Sequence, residues 1–134
     1  YDEKIDVHSI VKEICNVKQR YTQFGGARPF GVSILFASVE EGVPRLFLTE
    51  PTGIYFEYKA TAIGEAEVEI KDILSKRYSE SMTIDEGIKL SIEILKKVLG
   101  KDFDMERVDG AFIRSAEAKF QRLNKDYIKK IIKT

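Results

Sequence analysis

Cysteine and histidine are almost absent from this 134-residue chain, which has one of each. Cys15 alone cannot close an internal disulfide, which fits a reducing compartment, and the expectation is a cytoplasmic protein. His8 and Cys15 together fall short of the roughly four ligands a Cys/His zinc site needs. An excess of charge of either sign is also lacking. Lys+Arg and Asp+Glu number 22 each, so the formal net charge is zero. No basic surplus argues for nucleic acid, and no acidic tail argues for a solvating arm. No apolar run approaches the ~18 residues that span a bilayer. The opening YDEKIDVHS is charged and polar, the reverse of a signal peptide.

What remains is 43% hydrophobic and 33% charged, the composition and size of one soluble domain. Asp6 is placed to cap a helix over about residues 6–23, with Val7, Ile10, Val11, Ile14 and Tyr21 on one face. Gly25 and Gly26 end it and Pro29 prevents its resumption. VSILFASV (32–39) is almost continuously apolar and predicts a strand buried on both faces. EEGVP is a turn, RLFLT the next strand, Glu50-Pro51-Thr52-Gly53 a second turn, and IYFEYKATAI an extended segment.

The period then changes. Glu65–Tyr78 has helical spacing. Thr83 with Glu86 forms a capping box for a helix with Ile84, Ile88, Ile92, Leu95, Val98 and Leu99 inward, closed by Gly100. Gly87 inside that helix predicts a close helix contact. Residues 108–114 and 119–123 predict a hairpin. Asn124 caps a last helix with Tyr127, Ile128, Ile131 and Ile132 on one stripe. The order is helix, three strands, two helices, two strands, helix. Segregated strands and helices predict an α+β fold with a mainly antiparallel sheet. A strand buried on both faces calls for an αββα layered sandwich.

Candidate chemistry is sparse. The segment YTQFGGARPFGVSILF (21–36) holds Gly25, Gly26, Arg28, Pro29 and Gly31. Phosphate-cradling loops run strand, glycine turn, helix, so that a helix N-terminus meets the anion. Here the order is reversed, and these five residues are expected to form a structural hinge, with Arg28 near the carbonyl end of the first helix. His8 and Cys15 are expected as a surface imidazole and a buried thiol, not a Cys–His pair. Glu65, Glu67, Glu69 and Asp72 crowd a helix start, where carboxylates favour the dipole. Lys59 lies among aromatics and is expected to snorkel or pair. No G-x-S-x-G or S-x-x-K motif occurs. No catalytic, cofactor-binding or metal-binding residue is expected.

The residues nevertheless carry a resemblance. YTQFGGARPFGVSILF, followed by PRLFLTEPTGIYFEYKATAIG, resembles the alpha-type subunits of the proteasome core particle, of the archaeal kind. The shared features are Tyr21-Thr22-Gln23 before the two glycines, the Arg28-Pro29-Phe30-Gly31 step, and Tyr58 to Gly64. The resemblance runs the length of the chain but covers only the C-terminal part of that family's single domain. The gate-forming segment, the first helix, the opening strands and the lysine that receives activator tails have no counterparts here.

The resemblance implies a four-layer αββα sandwich of the N-terminal-nucleophile hydrolase type, incomplete at its N-terminus. It implies a non-catalytic structural and gating subunit of a threonine-type endopeptidase complex. Catalysis in that family belongs to the beta subunits' terminal threonine, whereas this chain begins with Tyr1, which has no aliphatic hydroxyl. The implied partners are other alpha subunits in a seven-membered ring, beta subunits and, for the longer protein, a regulatory ATPase. The helix over 6–23 would face the beta ring with Glu13, Asn16, Lys18 and Arg20 outward. Two alternatives stay open: a beta-type hydrolase whose nucleophile lies outside this segment, and a standalone interaction module. Uncovered strand edges would further favour self-association or domain swapping.

Overall fold

The structure, a computed structural model, describes residues 6–23 and 32–132, with backbone alone for positions 18–23. The hinge residues Gly25, Gly26, Arg28, Pro29 and Gly31 lie outside the described residues. The backbone divides into two compact units, Tyr1–Lys59 and Ala60–Thr134.

The first unit opens with helix α1, Val7–Gln23. Three antiparallel strands follow: β1 (Ile34–Glu40), β2 (Val43–Thr49) and β3 (Tyr55–Tyr58), in that spatial order. Only Glu41 and Gly42 join β1 to β2, with φ of 50° and 78°. Two consecutive positive φ values give the type I′ turn whose twist suits a hairpin. The flanking Glu40 and Val43 are partners, so in this geometry they exchange both backbone hydrogen bonds. Alternation along the ladder then fixes every other group. The amides and carbonyls of Ile34, Phe36, Ser38 and Glu40 turn toward β2, and those of Leu35, Ala37 and Val39 turn to the outer edge.

The same bookkeeping explains where β3 stops. On β2, Leu46 and Leu48 face Tyr58 and Phe56. The next position turned toward β3 is Pro44, which has no N–H to give. The extended segment expected over 54–63 therefore pairs only from Tyr55 to Tyr58. At the other end Gly53 donates its N–H to the Glu50 carbonyl at 3.0 Å, and Glu50 donates to Ile54 at 2.9 Å. Gly53 has φ 88°, the left-handed residue that closes a three-residue loop.

α1 covers one face of this sheet. Val7, Val11 and Cys15 bury against Phe47, with Phe36 and Tyr55 beside them. The opposite face carries Leu35, Ala37, Val39, Pro44, Leu46, Leu48, Phe56 and Tyr58. The expectation that β1 is buried on both faces fails. No residue of β1 is fully buried: Leu35 is 39% exposed, Ala37 is exposed and the rest are half-buried, while Val32 before it is 53% exposed. Its apolar run reflects one face under α1 and a second face carrying small or half-covered apolar residues.

The second unit holds α2 (Glu67–Arg77), α3 (Ile84–Leu99), a two-stranded antiparallel sheet of β4 (Ala111–Ile113) and β5 (Phe120–Arg122), and α4 (Lys125–Ile132). α2 starts two residues later than the expected Glu65, because Gly64 (φ 103°) and Ala66 (φ 60°) take left-handed conformations. The capping box is present: Thr83 Oγ1 accepts from Glu86 N at 3.2 Å, and Glu86 Oε2 accepts from Thr83 N at 3.0 Å. Asn124 Oδ1 likewise accepts from Tyr127 N at 2.7 Å.

α3 is buried on two sides. Ile88 and Ile92 join Ile128 and Ile131 of α4, while Leu90 and Ile94 join Ile73 of α2. A single-stripe reading expects Leu99 inward, but it is 43% exposed, and Leu90 and Ile94 take its place in the core. The close contact expected at Gly87 is absent, since a Cβ there would meet nothing within 4 Å. The close approach is at Gly110 instead, where a Cβ would lie 2.7 Å from Leu123 Cδ1. Leu123 N donates to the Gly110 carbonyl at 2.9 Å, which draws the two ends of the β4–β5 hairpin together.

Candidate functional site

The candidate site is the outer side of α1, and its inner side explains why that outer side has a fixed aim. Asp6 Oδ1 accepts from His8 N at 3.0 Å and its Oδ2 from Ser9 Oγ at 3.2 Å, so the expected N-cap is in place. Val7 N donates to Glu40 Oε1 at 2.6 Å, placing a carboxylate at the positive helix end. That bond ties the start of α1 to the far end of β1.

His8 is half-buried, not the free surface imidazole expected. Its Nε2 lies 3.1 Å from Tyr55 Oη, and its ring stacks on Phe47 with centroids 5.7 Å apart. The Arg45 guanidinium sits 4.9 Å from the same Phe47 ring. Cys15 is buried, as expected. Seven helical residues separate His8 from Cys15, about 10 Å along the axis at ~1.5 Å each, too far for a Cys–His pair. Among the described residues no group of three or more His, Cys, Asp or Glu could hold a metal ion.

Arg45 grips Glu57 with both arms, Nε to Oε1 at 2.9 Å and Nη2 to Oε2 at 3.1 Å. Glu40 Oε2 lies 3.9 Å from Nη1. The hydrogen bond from Arg45 holds the Glu57 carboxyl below the usual glutamate range, and the hydrogen bond to Glu57 raises Arg45. Because Glu57 is lowered in the folded state, its contribution is present above the ordinary glutamate pKa and is lost as pH falls through the folded value. Glu57→Gln should therefore narrow its stability gap from the parent as urea titrations move from neutral to acidic pH. A gap that stays constant would show that the pair is not linked to folding.

Sequence reasoning missed this pair. Arg45 is one step diagonal from Glu57 in the β2–β3 register, where Phe47 is opposite Glu57. Period-two alternation and the two turn lengths would have put them on one face.

On the outer side, Ser9, Lys12, Glu13 and Asn16 are exposed. The helical repeat puts Ser9, Glu13 and Asn16 in one row, opposite Val7 and Val11. The side chains of the other two expected interface residues, Lys18 and Arg20, lie outside what the structure describes. The other candidate groups are solvated or structural. Asp72 pairs with Lys76 at 3.0 Å on exposed α2. Tyr127 Oη donates to Asp85 across α3 and α4, and that bond raises the phenol above its ordinary value. Lys125 pairs with Glu106 at 2.8 Å and lowers it. No helix among the described residues is long and apolar enough to cross a membrane.

Comparison with known proteins adds a second kind of finding. A family model described as "Proteasome subunit" matches residues 1–113. The "Proteasome subunit alpha" of Methanocaldococcus jannaschii is 43% identical over 98% of this chain and 50% of its own length. "Proteasome subunit alpha 2" of Haloarcula marismortui is 43% identical over 96% of the chain and 52% of its own. "Proteasome subunit alpha" of Pyrobaculum aerophilum is 40% identical over 98% of the chain and 54% of its own. The chain thus spans about half the length of the curated relatives it matches.

Proposed function

The chain belongs to the proteasome subunit family, and from that premise we propose that it is part of an alpha-type, non-catalytic subunit of a proteasome core particle. The observation that carries this reading is the match to three archaeal proteins named proteasome alpha subunits across nearly the whole chain. In this reading both compact units belong to one αββα domain of the N-terminal-nucleophile hydrolase type. The alpha subunit forms a seven-membered outer ring in the cytoplasm, caps beta subunits and admits substrate, with a regulatory ATPase docking on the longer protein. Peptide hydrolysis is the work of the beta subunits.

The geometry supports a docking role for α1. A helix that presents charge to a partner must be held against rotation. Here Val7, Val11 and Cys15 bury against Phe47, and the Val7–Glu40 and His8–Tyr55 hydrogen bonds fix the first turn. The row of Ser9, Glu13 and Asn16 is thereby presented at a set angle, which suits a polar interface whose register depends on charge placement.

The test replaces the matching segment of a full-length archaeal alpha relative with this chain and co-expresses the chimera with a beta-type subunit. The expected result is sevenfold rings by electron microscopy, with a mechanism-based protease inhibitor labelling the beta subunit and not the chimera. Adding Glu13→Lys and Asn16→Lys should leave the helical circular dichroism unchanged and weaken ring docking at least tenfold. Undiminished docking by the double variant would remove α1 from the interface. A chimera that never forms rings with beta, while folding normally, would sink the alpha reading.

A further inference from the structure

The β4–β5 hairpin is entered through Asp109-Gly110, the one Asp-Gly step in the chain. Gly110 lies opposite Leu123, one position beyond the Ala111–Arg122 pair. A regular hydrogen-bonded pair exchanges two backbone bonds. Here one forms, from Leu123 N to the Gly110 carbonyl at 2.9 Å. Among the described residues no backbone carbonyl takes the Gly110 amide in return. Gly110 N donates instead to the side chain just before it, Asp109 Oδ1, at 3.1 Å. Asp109 Oδ2 accepts from Arg122 Nη2 at 3.3 Å. Both oxygens are thus engaged, and the carboxyl group is held beside the amide. The Asp109 side chain is 77% exposed, so water reaches it.

The packing keeps glycine at this position. A Cβ on residue 110 would lie 2.7 Å from Leu123 Cδ1, and Leu123 packs against the Ile88, Ile92, Ile128 and Ile131 cluster. Glycine is also the residue whose amide nitrogen is least shielded, because it has no Cβ. We infer that Asp109-Gly110 is a modification site of the folded chain, where the backbone is rerouted through the Asp109 side chain as isoaspartate. The Gly110 nitrogen attacks Asp109 Cγ. Its proton and the carboxyl hydroxyl leave together as water, and a five-membered succinimide closes. A second water opens the ring. Attack at Cγ restores aspartate. Attack at the main-chain carbonyl breaks its bond to the Gly110 nitrogen and leaves an isoaspartyl link with a free α-carboxylate. The net change consumes no oxidant, reductant or water. The chain is then one methylene longer at the mouth of the hairpin, and the Leu123–Gly110 bond is out of register. The new carboxylate fits an enzyme that methylates carboxylates from a sulfonium donor. The methyl passes from sulfur to oxygen and the donor leaves as a thioether. Reclosure of the ring then expels methanol. This inference uses only contacts inside the second unit and does not rest on the proposed subunit role.

The test holds the 134-residue chain at neutral pH and body temperature in heavy-oxygen water and maps its peptides by mass. Each ring opening leaves a heavy oxygen on the aspartate. The Asp109 peptide should take up label at least tenfold faster than any other aspartate. Part of it should accept a methyl group from S-adenosylmethionine when a recombinant isoaspartyl methyltransferase is added. Asp109→Glu keeps the carboxylate but would need a six-membered ring, so label and methyl acceptance at residue 109 should vanish. Repeating the incubation in urea separates structure from sequence. The folded chain should label at least as fast as the unfolded one, because the nucleophile already touches the carboxyl group. Label spread evenly over the aspartates, methyl acceptance that survives Asp109→Glu, or labelling that appears only in urea would each overturn the inference.

Discussion

Phe47→Ala should destabilise the first unit by about 3–5 kcal/mol, the cost of emptying a filled aromatic site. Phe47 is 1% exposed and is the residue on which α1 is seated. Its ring meets the His8 ring and the Arg45 guanidinium, and lies 6.3 Å from the ring of Tyr55. Truncation leaves a void beneath Val11 and removes the surface that sets the helix angle. Urea unfolding would read the loss, and amide hydrogen exchange would locate it in α1 and β1–β3. The outward row of α1 should lose its fixed aim at the same time. A loss below about 1 kcal/mol, with α1 amides still protected, would show that the helix is held by something other than this ring.

Ile128→Ala should cost about 2–5 kcal/mol in the second unit. Ile128 is 1% exposed and closes a cluster with Ile88, Ile92 and Ile131, where α4 meets α3. α4 has only eight residues, too few to be stable alone in water, so its helicity depends on this burial. Exchange protection should therefore vanish along the whole of α4 before α2 is affected. Val68→Ala serves as the control. It removes a comparable methyl surface from a residue 78% exposed, and should move stability by no more than about 0.5 kcal/mol. Equal losses in the two variants would mean that the cluster does not hold α4.

Much of this architecture is legible in the sequence because the signals are local. Asp6, Thr83 with Glu86, and Asn124 mark helix starts through side-chain acceptors for nearby amides, and all three caps form. The order of helices and strands follows from the switch between periods of two and about 3.6. What sequence reading misses depends on partners distant in the chain. An apolar run does not distinguish a strand covered on both faces from one covered on a single face, so β1 reads as doubly buried. A helix packed on two sides does not show a single stripe, so Leu90 and Ile94 are overlooked. Gly87 and Gly110 look alike as letters, and only the position of Leu123 shows which one needs to lack a side chain.

The candidate site is less legible than the fold. Glu13 and Asn16 can be placed outward by counting turns from Val7 and Val11, and both are exposed. The lone histidine looks like a surface residue because nothing near it in sequence is aromatic. Its stacking on Phe47 and its bond to Tyr55 come from strands more than thirty positions away. The resemblance to the proteasome family rests on the glycine-rich segment and the Tyr58–Gly64 run, and the family match over residues 1–113 bears it out.

Pro44 also sets where the chain leaves the sheet. By withholding one donor it ends the β2–β3 ladder at Tyr58. The backbone is thus released one residue before the division between the two compact units, after Lys59.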